Sequence, residues 1–308
     1  MGEAMRLEIG ESLNRWLQRY PQFDQLAETL QDALRRGLQR GAPTTKQISD
    51  FFNGTWLGHS LHAVLTDFTI GLWTTAQLLD YAAIWSDDKG LTAGADLALT
   101  VGEVAVLPTA LAGIADWQYT EGSARRVGLL HALINTTAAG LVGGSLVLRS
   151  RRRAKTTLPA AQVLSTVGYL VLLTGAQLGG DLAYRFGIAV NRQAWMTPIP
   201  RFTPVLDAEE LREGKPRRVL THGRSILLVK HGQQIRAIGE TCTHMGGPLA
   251  EGAVEDGRVQ CPWHASVFSL ENGRVLEGPA TAREPVYETR VHEGKIEVRT
   301  ARTSSSPG

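Results

Sequence analysis

Between about residue 57 and residue 184 the chain runs in long apolar stretches: 57 to 80, 95 to 117, 127 to 148 and 160 to 183, joined by short polar connections. Each stretch approaches the roughly 20 residues that cross a hydrocarbon core of about 30 Å as a helix. A soluble bundle would need a charged outer stripe on each helix. The third stretch has no Asp, Glu, Lys or Arg between Val127 and Leu148, and the fourth has none between Ala160 and Gly180. Small residues four apart, Gly140 with Gly144 and Gly175 with Gly179, suit close helix contact in lipid. The pattern predicts an all-α four-helix transmembrane bundle over 57–190. Its surroundings would be a lipid bilayer, and its short connections make successive helices alternate in direction.

The flanks have other rhythms. Residues 1–56 are polar with helical spacing, as in LNRWLQRY and LAETLQDALRRGLQ, and carry no evident chemistry. A proline-punctuated linker occupies 191–202. Over 203–300, short β-branched runs are broken by HG and HGQ, the pattern of antiparallel strands joined by turns. The tail, 301–308, reads as disordered.

Charge narrows the picture only a little. The net charge is +2 and no basic run is interleaved with aromatics, which excludes nucleic acid as the expected partner. RSRRRAK at 149–155 falls between two apolar stretches and reads as a charged membrane loop. Lys and Arg are nearly balanced across the two sides of the predicted bundle. The opening MGEAMRLEIGESLNRW carries charge where a secretory signal is apolar, so the C-terminal domain is expected on the cytoplasmic side.

The chemistry is concentrated in CTHMGG at 242–247 and CPWHAS at 261–266, which hold the only two cysteines of the chain. Two cysteines make no disulfide framework. Each is followed closely by a histidine, and each pair lies between strand-like runs, so two loops would bring one thiolate and one imidazole apiece to a metal site. The spacing differs from a zinc finger, although a Cys2His2 zinc site is the alternative to weigh.

Through CTHMGGPL and CPWHASVFSLENGRVLEGPA, residues 203–300 resemble a Rieske domain. The resemblance implies an all-β fold of three small antiparallel sheets around a [2Fe-2S] cluster. Cys242 and Cys261 would hold the inner iron, and His244 and His264 the outer one. Neutral imidazoles in place of thiolates make the cluster easier to reduce, giving potentials of about −150 to +300 mV against about −400 mV for all-cysteine plant-type clusters. High-potential Rieske proteins carry an extra cysteine in each loop; Gly247 and Trp263 stand there, so the chain is similar to the ferredoxin and oxygenase type. Ser266 matches a serine that bonds a cluster sulfur, Phe268 replaces a tyrosine, Ala265 replaces a glycine, and Pro279 matches a proline that covers the cluster. A low to intermediate potential is implied. Residues 57–190 resemble a family of uncharacterised four-helix membrane proteins, through GHSLHAVLTDFTIGLW and LGGDLAYRFGIAVN, which implies a fold and no activity.

Ionisable residues are costly in apolar helices and therefore informative. His59 and His62 open the first stretch, three apart on one helix face, and His131 lies near the start of the third; Asp67 and Glu103 sit deeper. They suggest a haem b, metal or quinone site, against the plainer reading of interfacial histidines and interhelical hydrogen bonds. The expected function is a membrane-anchored one-electron carrier of an oxidoreductase system, passing electrons between a redox partner protein, such as a soluble reductase, or quinol, and an acceptor. No mononuclear-iron domain or dinucleotide fingerprint gives it a catalytic centre of its own. A redox or iron sensor is the rival reading.

Overall fold

The computed structural model describes residues 15–39, 43–86, 88–151 and 157–301. The start of the polar N-terminal region, most of the basic loop and the 302–308 tail lie outside them. The chain forms two compact units, one of Met1–Lys46 with Leu61–Ile188 and the other of Gln47–Ser60 with Ala189–Gly308.

In the first unit a polar helix α1 (Pro21–Gln39) precedes four long helices, while α2 (Pro43–Asn53) leads into the second unit. The long helices are α3 (Leu61–Ser86), α4 (Lys89–Trp117), α5 (Gly122–Ser150) and α6 (Thr157–Gly180). Asp88 starts α4 by accepting the Gly90 N–H at 2.7 Å, an N-cap of the usual kind. Helices α3 and α4 form one hairpin, α5 and α6 another, with α5 beside α4 and α6 beside α3. Their core is Trp73, Ala76, Ala98, Leu99, Ala138, Val142 and Leu172. Trp73 is accommodated because position 102 is glycine: a Cβ there would overlap the indole. Outward, the helices present large apolar side chains to their surroundings, among them Leu78, Leu97, Val104, Leu107, Val163 and Leu170.

Among the described residues three helical stretches, Lys89–Trp117, Gly122–Ser150 and Pro159–Arg185, are long and apolar enough to cross a membrane. Helix α3, 26 residues, is long enough but is not among them, because Asp67, Asp80, Gln77 and four threonines dilute its apolar character. A second departure is Arg149. It was expected in a membrane loop, yet it sits inside α5 with its side chain 2% exposed, paired with Asp80 of α3 and, at 2.9 Å, Asp96 of α4. Ser145, and Ser165 of α6, complete its shell at 3.1 and 3.2 Å. All four long helices thus meet at one buried cation. Helix α1 is tied to α5 by Arg126–Asp24 at 3.0 Å and Arg125–Glu28 at 2.5 Å.

The described residues of the second unit hold ten strands: β1 (Thr203–Asp207), β2 (Arg217–Thr221), β3 (Arg224–His231), β4 (Gln234–Gly239), β5 (Ala253–Glu255), β6 (Arg258–Gln260), β7 (Val267–Ser269), β8 (Val275–Glu277), β9 (Val286–His292) and β10 (Lys295–Thr300). They form two antiparallel sheets rather than the three expected, ordered β1-β10-β9-β4-β3-β2 and β5-β6-β7-β8. The reason is the pairing of Ala237 with Tyr287 and Ile238 with Val286, which joins the first and last strand groups into one sheet. Alternation along β3 sends Ile226 and Leu228 into one core and Leu227 and Val229 into the other. That second core also contains Cys242, Cys261 and Phe268, so the cysteine loops are anchored in it.

Candidate metal centre

The loop after β4 and the loop between β6 and β7 have the same backbone. In the first, Gly246 N donates to Cys242 O at 2.9 Å and Cys242 N to Gly247 O at 2.9 Å; in the second, Ala265 N donates to Cys261 O at 3.1 Å and Cys261 N to Ser266 O at 2.8 Å. Each turn requires a left-handed residue four positions after its cysteine, met by Gly246 at φ 86° and Ala265 at φ 58°. Glycine adopts that conformation freely and alanine at a cost. With alanine there the second loop still makes the same two hydrogen bonds as the first.

Both thiols point inward, at 1% and 3% exposure, whereas His244, His264 and Ala265 are half-buried. The two sulfurs are hydrogen-bonded, and that bond is the main influence on each: it lowers Cys261 to about 6, with help from the Trp263 and His264 backbone N–H groups, and raises Cys242, with burial adding to the rise. The imidazoles stand side by side, ring centres 5.1 Å apart and planes at 82°. Burial, followed by His264 and Arg192, pulls His244 down to about 3. A neutral imidazole with a free lone pair is the form that binds metal. With a metal–nitrogen bond of about 2.0–2.1 Å and the ring centre about 1.1 Å further on, two imidazoles on one tetrahedral metal have centres about 5.2 Å apart. Among the described residues no three of His, Cys, Asp and Glu are grouped for a single ion. The donors form two pairs, sulfur inside and nitrogen outside.

The neighbours fit this arrangement. A Cβ at Gly247 would lie 2.7 Å from Cys261 Sγ, so only glycine leaves that thiol space. Ser266, 0% exposed, accepts the Ala280 N–H at 2.9 Å, leaving its own O–H to donate. Phe268 is buried beneath the cysteines, Pro279 is buried just before Ala280, and Trp263 is exposed at the rim with its ring 6.4 Å from that of His264.

Sequence reasoning missed the support behind the first loop. Glu284 is 0% exposed; its Oε1 accepts Thr243 N–H at 2.7 Å, and Thr243 Oγ1 donates to Ala282 O at 2.7 Å. Burial pushes the Glu284 carboxyl up to about 8. A charged residue directly before proline in AREPV was the available signal. Also missed was residue 47–60 as a part of this unit, where Gly278 is so close to Thr55 that a Cβ would overlap its hydroxyl.

The membrane candidates do not converge as a set. His59 is exposed in a turn after Gly58, φ 86°, and its Nδ1 is 3.3 Å from the neighbouring Ser60 O. Helix α3 starts only at Leu61, so His59 and His62 do not share a helix face. Asp67 is exposed on α3, and Glu103 approaches Gly143 on α5. His62 and His131 do come together, with ring centres 6.1 Å apart.

Two loops of one shape, each carrying a cysteine and a histidine on a pair of antiparallel sheets, define a Rieske iron–sulfur protein. Residues 201–293 match the family described as Rieske [2Fe-2S] domain, and the chain belongs to that family. Residues 58–192 match the family described as Predicted membrane protein (DUF2231). The anthranilate 1,2-dioxygenase ferredoxin subunit of Burkholderia cepacia is 30% identical over 95 residues, 31% of this chain and 88% of that protein. Apoptosis-inducing factor 3 of Mus musculus is 28% identical over 162 residues, 51% of this chain, which spans only 25% of that relative's length. The human counterpart is spanned over 16% of its length. A solved complex of reduced oxygenase and oxidized ferredoxin in carbazole 1,9a-dioxygenase contains a chain 30% identical, with TM-score 0.31, covering 32% of this chain and 92% of that one. A Rieske domain binds a [2Fe-2S] cluster, which is the cofactor of this chain; it is joined to a helical region of a membrane family.

Proposed function

We propose that the protein is a membrane-anchored one-electron carrier. Cys242 and Cys261 hold the inner iron of the cluster, and His244 and His264 hold the outer iron. The observation that carries this reading is the pair of like-shaped loops that buries two thiols and sets two imidazoles outside them, 5.1 Å apart. When bound, the cluster supplies reversible one-electron chemistry. The chain's own residues provide the rest. The core around Phe268 and Leu249 keeps water from the thiols, Glu284 fixes the first loop through Thr243, and Ser266 orders the second through Ala280. Trp263 and the half-buried histidines form the edge at which a redox partner docks.

The helical domain, 57–190, crosses the bilayer four times, α3 included, because Gln77 and Asp80 in the second half of α3 are buried in the interior network while Leu78 and Ile84 face outward. The linker 191–202 leads to the cluster domain, 203–300, on the cytoplasmic side. Electrons pass from a soluble reductase or a membrane quinol to an acceptor, at a potential in the lower part of the Rieske range, since Phe268 offers no hydroxyl and Gly247 and Trp263 form no disulfide.

Anaerobic purification in detergent, with iron and sulfide analysis and electron paramagnetic resonance, tests the ligand set. Two irons and two sulfides per chain with a Rieske-type signal are expected, and Cys261→Ser and His264→Ala should each lose it. Zinc in place of iron, or a signal that survives both substitutions, would overturn the assignment.

A further inference from the structure

His62 on α3 and His131 on α5 lie on helices of different hairpins, ring centres 6.1 Å apart and planes at 80°. Each ring is fastened to the backbone of its own hairpin partner. His62 Nδ1 is 2.9 Å from Thr109 O on α4, and His131 Nδ1 is 2.8 Å from Gly175 O on α6. A carbonyl oxygen only accepts, so both Nδ1 atoms carry the proton and both Nε2 atoms keep a lone pair. An imidazole that ligates a metal is oriented by just such a bond from its other nitrogen. Glycines are fitted against both rings: a Cβ at Gly113 would be 2.9 Å from His62 Cε1 and one at Gly179 would be 3.1 Å from His131 Cε1.

We propose that His62 and His131 bind one redox-active transition metal between their Nε2 atoms, a second centre in the helical unit. Two imidazoles on opposite sides of a metal have ring centres about 6.3 Å apart, and two on a tetrahedral metal about 5.2 Å. The separation of 6.1 Å belongs with the opposed arrangement. Among the described residues no third His, Cys, Asp or Glu joins the pair. Zinc, which takes three or four protein donors, is therefore left short of ligands. Copper(I) in two-coordinate form is satisfied, and so is haem iron, whose other four donors come from the tetrapyrrole. The Asn135 amide, 3.2 Å from His131 Nε2 and 2.9 Å from His131 O, is the neighbour that must yield.

The test uses the full chain in detergent, from cells supplied with copper and haem precursor, and records the cluster signal in the same sample. One haem or one copper per chain beyond the cluster iron is expected; a b-type optical band identifies the first, and a spectroscopically silent copper equivalent the second. His62→Gln and His131→Gln retain a donor for the Thr109 and Gly175 carbonyls, so they should keep the fold and the cluster signal while occupancy falls by about tenfold or more. His131→Met keeps a metal donor and should retain the metal with a shifted spectrum, which a purely structural histidine would not produce. Undiminished occupancy in both Gln variants would overturn the proposal. So would failure to bind either added hemin or added copper(I), or binding of a quinol analogue as the only property the variants alter. A sample with this metal but no cluster would reject the Rieske ligand set alone.

Discussion

Ala265 and Gly246 occupy equivalent turns, and only one of them is suited to it. A left-handed conformation costs a non-glycine residue about 1–2 kcal/mol, and Ala265 holds φ 58°. Ala265→Gly should therefore raise the stability of the cluster-loaded protein by about 1 kcal/mol, less the added freedom of the unfolded chain, read as a higher temperature of cluster bleaching. At the next position, Ser266 uses its oxygen to accept Ala280 N–H and has a proton left to give. Ser266→Ala removes that donor to the reduced cluster, worth about 0.5–1.5 kcal/mol, and should lower the one-electron potential by about 20–65 mV in voltammetry. The four ligand positions were legible from the sequence because two short loops contain all of them. Glu284 was not legible, since it reaches Thr243 from 41 residues further along and its role exists only once β9 has been brought beside β4.

At the scale of elements, apolar runs and turn dipeptides located most helices and strands, because periodicity and turn chemistry are local properties. How elements join is not local. The sheet count changed through a single two-residue pairing between β4 and β9, and the role of Arg149 changed because α5 continues to Ser150, past the end of the apolar run. From sequence the arginine belonged with the loop charges that follow it; in the fold it is held by Asp80, Asp96, Ser145 and Ser165. Breaking one partner of a buried ion pair costs about 3–5 kcal/mol, whereas replacing both with apolar residues is often tolerated. Asp80→Ala should destabilise the helical unit by that amount in thermal unfolding in detergent. The Arg149→Leu, Asp80→Leu double variant should lose less than either single change. Equal or additive losses would mean that the four helices do not depend on this joint.

At the scale of the whole chain, sequence order and spatial order part company at residues 47–60, which precede the long helices yet belong with the cluster unit. No periodicity could announce this, because the segment is recruited by shape. The Thr55 hydroxyl is buried with no hydrogen-bond partner among the described residues and faces the backbone of Gly278. Gly278 leads through Pro279 to Ala280, whose N–H bonds Ser266. Any displacement of the segment therefore reaches the second cluster loop through three consecutive residues. Gly278→Ala should cost about 1–3 kcal/mol by forcing a methyl group into this contact and should shift the potential in the direction of Ser266→Ala. Thr55→Ala opens the space, so the double variant should recover part of both losses. A coupling of about 0.5 kcal/mol or more in a double-mutant cycle is the expected reading. Strict additivity, with the potential unmoved, would show that the segment merely covers the cluster unit without holding its loop.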